Sequence, residues 1–282
     1  MSDYDLIARA CETIAGYLAL GNERFEAHGA TFIRNRDTPR RHDTNTLALI
    51  RDAGDIEGLL RSVEIEYEGF AHRRFEIDPL TPPPFVARLA FAGGYKGTEL
   101  VTMVLEGVLQ ARTADVDVRE VVTEGDWASY RRLDELWWRE SSEDYFGPYD
   151  PGLHDELARS FRAKSPQCRS WMAWVDGEAR AYLSDWQGDN GVGVVEDLYT
   201  EAAYRRRGLA TALMVRAVAD ARERGAGPVI ITADPSDTPR QMYAALGFRP
   251  LFLHREYVKL LPGHYSEKPD EGQRASNVSR TD

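Results

Sequence analysis

Residues 196–211 read EDLYTEAAYRRRGLAT. Just before them, Val192 to Val195 form an apolar run, and with Leu198 and Tyr199 that run reads as a buried strand. Behind them Leu209, Leu213, Ala217 and Ala221 recur every fourth residue, with Ala212 and Val218 alongside, which predicts a helix. Basic Arg222 and Arg224 suit its last turn, and Gly225 ends it. The unit is therefore a strand, a turn rich in arginine and glycine, and a helix.

Such a turn has a physical use. The first N–H groups of a helix lack intrahelical partners and sit at the positive end of its dipole. A glycine admits a ligand close to the backbone, and the combination binds phosphate. Arg205, Arg206 and Arg207 add positive charge beside it. The turn lacks the Lys-Ser/Thr ending of a nucleotide-triphosphate loop and lacks Gly-x-Gly-x-x-Gly, so both of those readings are weak.

Arg205, Gly208 and Ala210 match Arg/Gln-x-x-Gly-x-Gly/Ala, the acyl-CoA pyrophosphate loop of the GNAT superfamily of N-acetyltransferases. The loop follows a strand containing Glu-Asp-Leu-Tyr and opens a long helix. A second strand, PVIITAD (Pro228 to Asp234), lies downstream, and Tyr243, Gly247 and Phe248 reproduce the family's Tyr-x-x-x-Gly-Phe. From about Val116 to Leu261 the chain thus resembles this superfamily. The resemblance implies an α/β (α+β) fold with a mixed central sheet flanked by helices.

The rest of the chain sets bounds. Its 282 residues suit one large domain or two small ones, and 43% hydrophobic with 29% charged residues is ordinary for a globular chain. No run approaches the roughly 18 apolar residues that span a bilayer. The N-terminus is acidic and amphipathic, without the basic start of a signal peptide. Cys11 and Cys168 make neither a disulfide framework nor a zinc pattern, and the cytoplasm is the expected compartment. The six histidines are scattered, none at metal-ligand spacing with another, so no metal is expected. A net charge of −11 disfavours nucleic acid and favours cationic partners.

Composition shifts place a boundary near Arg112. Residues 1–112 read as an α/β domain: a helix from residue 4 to about 20, a strand from Gly29, a helix from Asp55 to Tyr67, the strand HRRFEID, a helix after Pro82–Pro84 and a strand from Glu99. Its order resembles a degenerate GNAT-like repeat. It holds no pyrophosphate-type turn, so no CoA site is expected there. Completing a sheet or interface is favoured over a lid role. Residues 113–262 form the acetyltransferase-like domain, with Asp126 expected to cap its first helix and Asp176-Gly177 to turn a hairpin. RPLFLH and REYVKLL are expected as a closing pair of strands. Residues 263–282 are polar and rich in Ser, Pro and Gly, and read as disordered.

Acyl transfer from a thioester to an amine needs a phosphate anchor, a held thioester, a base and an acid. The resemblance places acetyl-CoA on Arg205, Arg206, Arg207, Gly208, Leu209, Ala210 and Thr211. It lays the pantetheine along the backbone of Leu198, Tyr199 and Thr200, with the Leu198 N–H facing the thioester carbonyl. Glu196 and Asp197 are adjacent, so on a regular strand they face opposite sides. Polyamine-type members of the family have a Leu-Glu-Asp stretch whose Glu is the base, which points to Glu196, with Asp197 structural. A structural hydrogen-bonding role for Glu196 stays open. Tyr243 occupies the family's acid position, protonated at neutral pH, and a packed aromatic is its other reading. Ser236 stands where many members carry Asn against CoA, a departure that puts this contact in doubt.

Residues 139–159 cover the family's specificity loop. Glu143, Asp144 and Tyr145 lie in an acidic and aromatic stretch that suits a cation, although a solvated acidic surface explains it equally. The leading function is acetyl transfer to a primary amine of a small cationic molecule. The readings beside it are a noncatalytic acyl-CoA-binding module and a protein or peptide N-acetyltransferase. No nucleic acid or membrane partner is expected, and oligomeric state is unreadable.

Overall fold

The computed structural model describes residues 2–111, 115–141, 148–235 and 239–262. In chain order its elements are α1 (Asp3–Ala19), β1 (Glu23–Ala27), β2 (Ala30–Arg34), β3 (Thr46–Ala48), α2 (Ile56–Glu66), β4 (His72–Ile77), α3 (Pro83–Phe91), β5 (Lys96–Leu105), β6 (Asp117–Glu120), α4 (Glu124–Ser141), α5 (Pro151–Lys164), β7 (Arg169–Val175), β8 (Glu178–Trp186), β9 (Gly193–Thr200), α6 (Leu209–Glu223), β10 (Val229–Ala233), α7 (Pro239–Ala245) and β11 (Arg249–Leu260). A short 3-10 turn, Ala202–Tyr204, precedes α6. The strands make one sheet of eleven in the order β1-β2-β3-β4-β11-β5-β10-β9-β8-β7-β6.

The two halves repeat one pattern. β3, α2, β4, α3, β5 and β9, α6, β10, α7, β11 each run strand, helix, strand, helix, strand. β3 lies parallel to β4, and β9 parallel to β10. Each half then gives its last strand to the other: β11 pairs antiparallel with β4, and β5 pairs antiparallel with β10. The exchanged strands also pair with one another, from Arg249↔Val104 to Val258↔Lys96. This long partner corrects one expectation. RPLFLH and REYVKLL are one strand of 12 residues, interrupted only by a bulge between Pro250 and Phe252, because β5 runs alongside and leaves no room for a turn. The expected boundary at Arg112 and the tail 263–282 lie outside the described residues.

Glu23–Ala27, charged and largely exposed, adds an edge strand that pairs with β2 through His28 and Gly29, both at positive φ (51° and 68°). One further local reading changes. At the start of α4 the cap is shared. Thr123 Oγ1 accepts from Asp126 N at 3.2 Å, and the Asp126 carboxylate accepts from Thr123 N at 2.8 Å, a capping box rather than a lone Asp126 cap.

Alternation along the central strands supplies both faces with core. Val195, Val229 and Ile231 pack with Leu209, Leu213 and Ala217 of α6. Val194 and Ile230 face the other way, against Leu6, Ala10 and Tyr17 of α1. Beside α1, Tyr130 and Leu133 of α4 and Leu157 of α5 cover β7 to β9. The first half has its own core of Phe32, Leu47 and Phe75 under Leu59 of α2 and Phe85 of α3. Among the described residues no helix is long and apolar enough to cross a membrane.

Candidate functional site

β9 and β10 pair at only two positions, Val229↔Gly193 and Ile230↔Val194. Beyond them the strands part, and the edge of β9 from Val195 to Thr200 has no partner in β10. The other edge stays paired with β8, with a register shift between Tyr182 and Ser184. The shift is a bulge centred on Asp197, whose φ is 61°. Aspartate tolerates this left-handed backbone better than most residues.

The bulge overturns the alternation argument for the two carboxylates. Glu196 and Asp197 both face the Lys164 and Tyr17 side, rather than opposite sides of the sheet. Oε1 of Glu196 accepts from Thr232 N at 3.1 Å and so bridges the parting of the strands where a backbone carbonyl would otherwise serve. Burial, then the adjacent Asp197 carboxylate, lifts the Glu196 carboxyl to about 8. Oδ2 of Asp197 accepts from the Tyr17 hydroxyl at 2.5 Å. Burial is also the largest influence on Asp197 and raises it, with Lys164 opposing. Lys164 is itself buried, its Nζ 3.8 Å over the Tyr17 ring.

Leu198 packs partly against the α6 layer, Tyr199 is buried towards α4 with its ring 5.6 Å from that of Tyr182, and the Thr200 carbonyl accepts from Arg205 Nε at 3.0 Å. A second Arg205 nitrogen meets Glu140 at 3.1 Å. Arg205 therefore ties the turn to β9 and α4. Arg206, at φ 62°, and Arg207 are exposed, and Arg207 lies over the Tyr204 ring at 4.8 Å.

Gly208, at φ 84°, is the N-cap of α6, and no side chain caps the helix. The first helical bond is Ala212 N to the Gly208 carbonyl at 2.9 Å, so the N–H groups of Leu209, Ala210 and Thr211 lie ahead of the ladder. The matching helix of the first half is closed: the Asp55 carboxylate caps α2, accepting from Gly58 N at 2.8 Å. A carboxylate already occupies the place an anion would take, so of these two matching helices α6 is the one with the open end.

Tyr243 is buried at 5% exposure, its ring 6.2 Å from Phe248. It shares a core cluster with Ala233, the end of β10, and with Leu198 of β9. It thus lies in the α6 layer, while Glu196 and Asp197 look to the α1 side. Ser236, Glu143, Asp144 and Tyr145 lie outside the described residues.

Sequence reading missed Tyr17, Lys164 and a buried polar group beneath α4 and α5. Tyr182 donates to Asp134 Oδ1 at 3.2 Å, His154 Nε2 stands 3.1 Å from Asp134 Oδ2, and Tyr149 Oη meets His154 Nδ1 at 3.0 Å. Only the apolar face around them hinted at this, since the pairs span up to 180 residues of chain. Histidine spacing also concealed one ligand-like group: Glu76, His254 and Glu256 offer atoms all within 4.8 Å of one another. Arg74 already supplies the cation there, with a nitrogen on Glu76 and 2.7 Å from Glu256.

Residues 130–248 match the model of the acetyltransferase (GNAT) family. These residues are a GNAT acetyltransferase domain. The GNAT domain is an acyltransferase, of a family that uses acetyl-CoA, and the strand carrying Glu196 and the open end of α6 both fall inside it. No curated protein matches the chain in sequence. Solved structures share its fold. A GCN5-related N-acetyltransferase from Kribbella flavida is 16% identical with a TM-score of 0.66, covering 92% of this chain and 97% of its own. A tandem GNAT protein from the clavulanic acid biosynthesis pathway is 16% identical with a TM-score of 0.55, covering 91% and 93%. A conserved protein of unknown function from Staphylococcus epidermidis is 13% identical with a TM-score of 0.62, covering 86% and 95%. The tandem structure aligns over both halves, which fits the first half as a GNAT-like repeat.

Proposed function

We propose that this GNAT domain transfers the acetyl group of acetyl-CoA directly to a primary amine of a small cationic molecule, with Glu196 as general base and Tyr243 as general acid. The observation that carries the reading is the parting of β9 and β10, bridged by the Glu196 carboxylate and followed by an uncapped α6. In this reading the pyrophosphate takes the N–H groups of Leu209, Ala210 and Thr211 with charge from Arg206 and Arg207. Arg205 holds the turn. The pantetheine lies along the unpaired edge of Leu198, Tyr199 and Thr200, where the Leu198 N–H supports the oxyanion.

The acceptor side is acidic and aromatic. Glu196 and Asp197, partly exposed, lie on the α1 and α4 side of β9, with buried Tyr17, Tyr130, Tyr182 and Asp134 behind them and buried Lys164 beside Tyr17. Such a lining favours an ammonium over a neutral or anionic acceptor.

The reading has a pH signature. Glu196 must be ionised to accept a proton, and its carboxyl is lifted to about 8. kcat/KM therefore rises with pH through the neutral range and levels off above about 8, as for a base in the free enzyme. A profile measured with acetyl-CoA and a cationic amine checks this. A rate independent of pH across the neutral range would remove Glu196 from the base role.

A further inference from the structure

α1 lies outside the residues that match the family, yet it is docked on the strand that carries Glu196. Arg9, Thr13 and Tyr17 stand at every fourth position and so share one helix face. Arg9 Nη1 donates to the Asn190 carbonyl at 3.1 Å, and Asn190 Nδ2 donates back to the Arg9 carbonyl at 2.9 Å. Thr13 Oγ1 donates to the Val192 carbonyl at 3.1 Å. A methyl at Gly16 would stand 2.7 Å from the Trp186 ring, so the helix also lies close against β8. One turn beyond Thr13, the Tyr17 hydroxyl donates to Asp197 Oδ2 at 2.5 Å.

We propose, resting on the base role of Glu196, that Tyr17 is a positioning residue for acetyl transfer: the first half supplies the hydroxyl that holds the Asp197 carboxylate beside the base. The bond is as short as a hydroxyl makes to an ionised carboxylate. Tyr17 is 6% exposed, and the Lys164 ammonium covers its ring face, 3.8 Å from the centre. Asp197 sits at φ 61°, a left-handed conformation that persists where the surroundings hold it. The residue after it is Leu198, whose N–H supports the oxyanion in the reading above. A clamp on Asp197 therefore sets both the base and the oxyanion donor, and it comes from a helix that the second half does not contain.

The hydroxyl also decides which of the two neighbouring carboxylates takes up a proton. Donation to Asp197 favours its charged form, which leaves the proton to Glu196. Burial is the largest influence on Asp197 and raises it, with Lys164 and then the Tyr17 hydroxyl opposing. Burial, then Asp197, lifts Tyr17 itself well above the usual phenol range, so it remains a donor at neutral pH. The groups facing Asp197 are Tyr17 from α1, Lys164 from α5, Glu196 from β9, Tyr130 from α4, Tyr182 from β8, Cys168 before β7, and Asp43 and Arg41 from the loop before β3. Among the described residues Tyr17 alone donates a hydrogen bond to its carboxylate.

The test is the pH profile of kcat/KM for the full chain, with acetyl-CoA and the amine that the wild type turns over fastest. Tyr17→Phe keeps the ring beneath Lys164 and removes only the hydroxyl. Its rising limb moves about one pH unit lower, because Asp197 now takes the proton and Glu196 ionises earlier. Its plateau kcat falls roughly tenfold, since a weaker base is also less well placed. The KM for acetyl-CoA is unchanged. Asp197→Asn, which offers Tyr17 an oxygen without the charge, moves the limb the same way, and adding Tyr17→Phe to it brings little further change. If Tyr17→Phe does not fold, 3-fluorotyrosine at position 17, a near-isosteric and stronger donor, moves the limb higher. A limb that stays at its wild-type pH in Tyr17→Phe or the fluorotyrosine protein, or an effect of Tyr17→Phe undiminished beside Asp197→Asn, overturns the role of Tyr17 and leaves acetyl transfer standing. A wild-type rate independent of pH overturns Glu196 as base and the role of Tyr17 with it. A wild type that acetylates no amine overturns acetyl transfer as well.

Discussion

Glu196→Gln lowers kcat by about a hundredfold or more, the least that removal of a positioned general base usually costs, and leaves acetyl-CoA binding intact. The substitution separates the two roles of this side chain. A Gln oxygen still accepts from Thr232 N, so the bridge across the parted strands survives. Only the ability to take a proton is lost. A structural Glu196 would show the reverse, with kcat retained in Glu196→Gln and lost with stability in Glu196→Ala. The measurement is kcat for acetyl-CoA and a saturating amine, alongside the thermal shift with acetyl-CoA. An unchanged kcat in Glu196→Gln would move the base elsewhere, with Asp197 beside it as the first candidate.

The second half, expressed alone as residues 113–282, does not fold. β5 belongs to the first half yet lies between β10 and β11, contributing Val101, Met103, Val104 and Leu105 at 5%, 1%, 0% and 1% exposure. Four such side chains are worth about 6–12 kcal/mol at roughly 1.5–3 each, which is comparable to the whole net stability of a typical domain. Removing β5 also unpairs the ladder edge of β10 from Val229 to Ala233 and leaves apolar strand edges exposed. Circular dichroism and size-exclusion chromatography of the fragment should show an unfolded or aggregated chain. Adding residues 1–112 in trans supplies the missing strand. A soluble, cooperatively melting fragment 113–282 would contradict the strand exchange.

The catalytic half was legible because its signals are local. The turn Arg205 to Thr211, the helix behind it and the Asp176-Gly177 hairpin depend on neighbours within a few residues, and all three stand in the structure as read. What could not be read is long-range. The residues around Asp197 do not by themselves say which side it faces, because that follows from the register of β8, and the bulge decides that both carboxylates share a side. Nothing within the first helix singles out Tyr17, and its hydroxyl reaches Asp197 across 180 positions. The exchange of β5 and β11 was equally hidden, since each strand fits an amphipathic pattern whichever partner it takes. In the first half, where no pyrophosphate-type turn was read, the Asp55 carboxylate caps α2.

Release of free CoA thiol from acetyl-CoA, by the wild-type full chain with a panel of cationic, neutral and peptide amines, tests acetyl transfer most directly. Cationic small amines should drive release, and near-saturating acetyl-CoA alone should raise Tm on the order of 5–10 °C. Release driven by peptides alone would replace the small-molecule acceptor with a protein one. Stabilisation without release would leave an acyl-CoA-binding module. Neither release nor stabilisation would contradict the assignment of Arg206 to Thr211 as the acetyl-CoA anchor, and acetyl transfer with it.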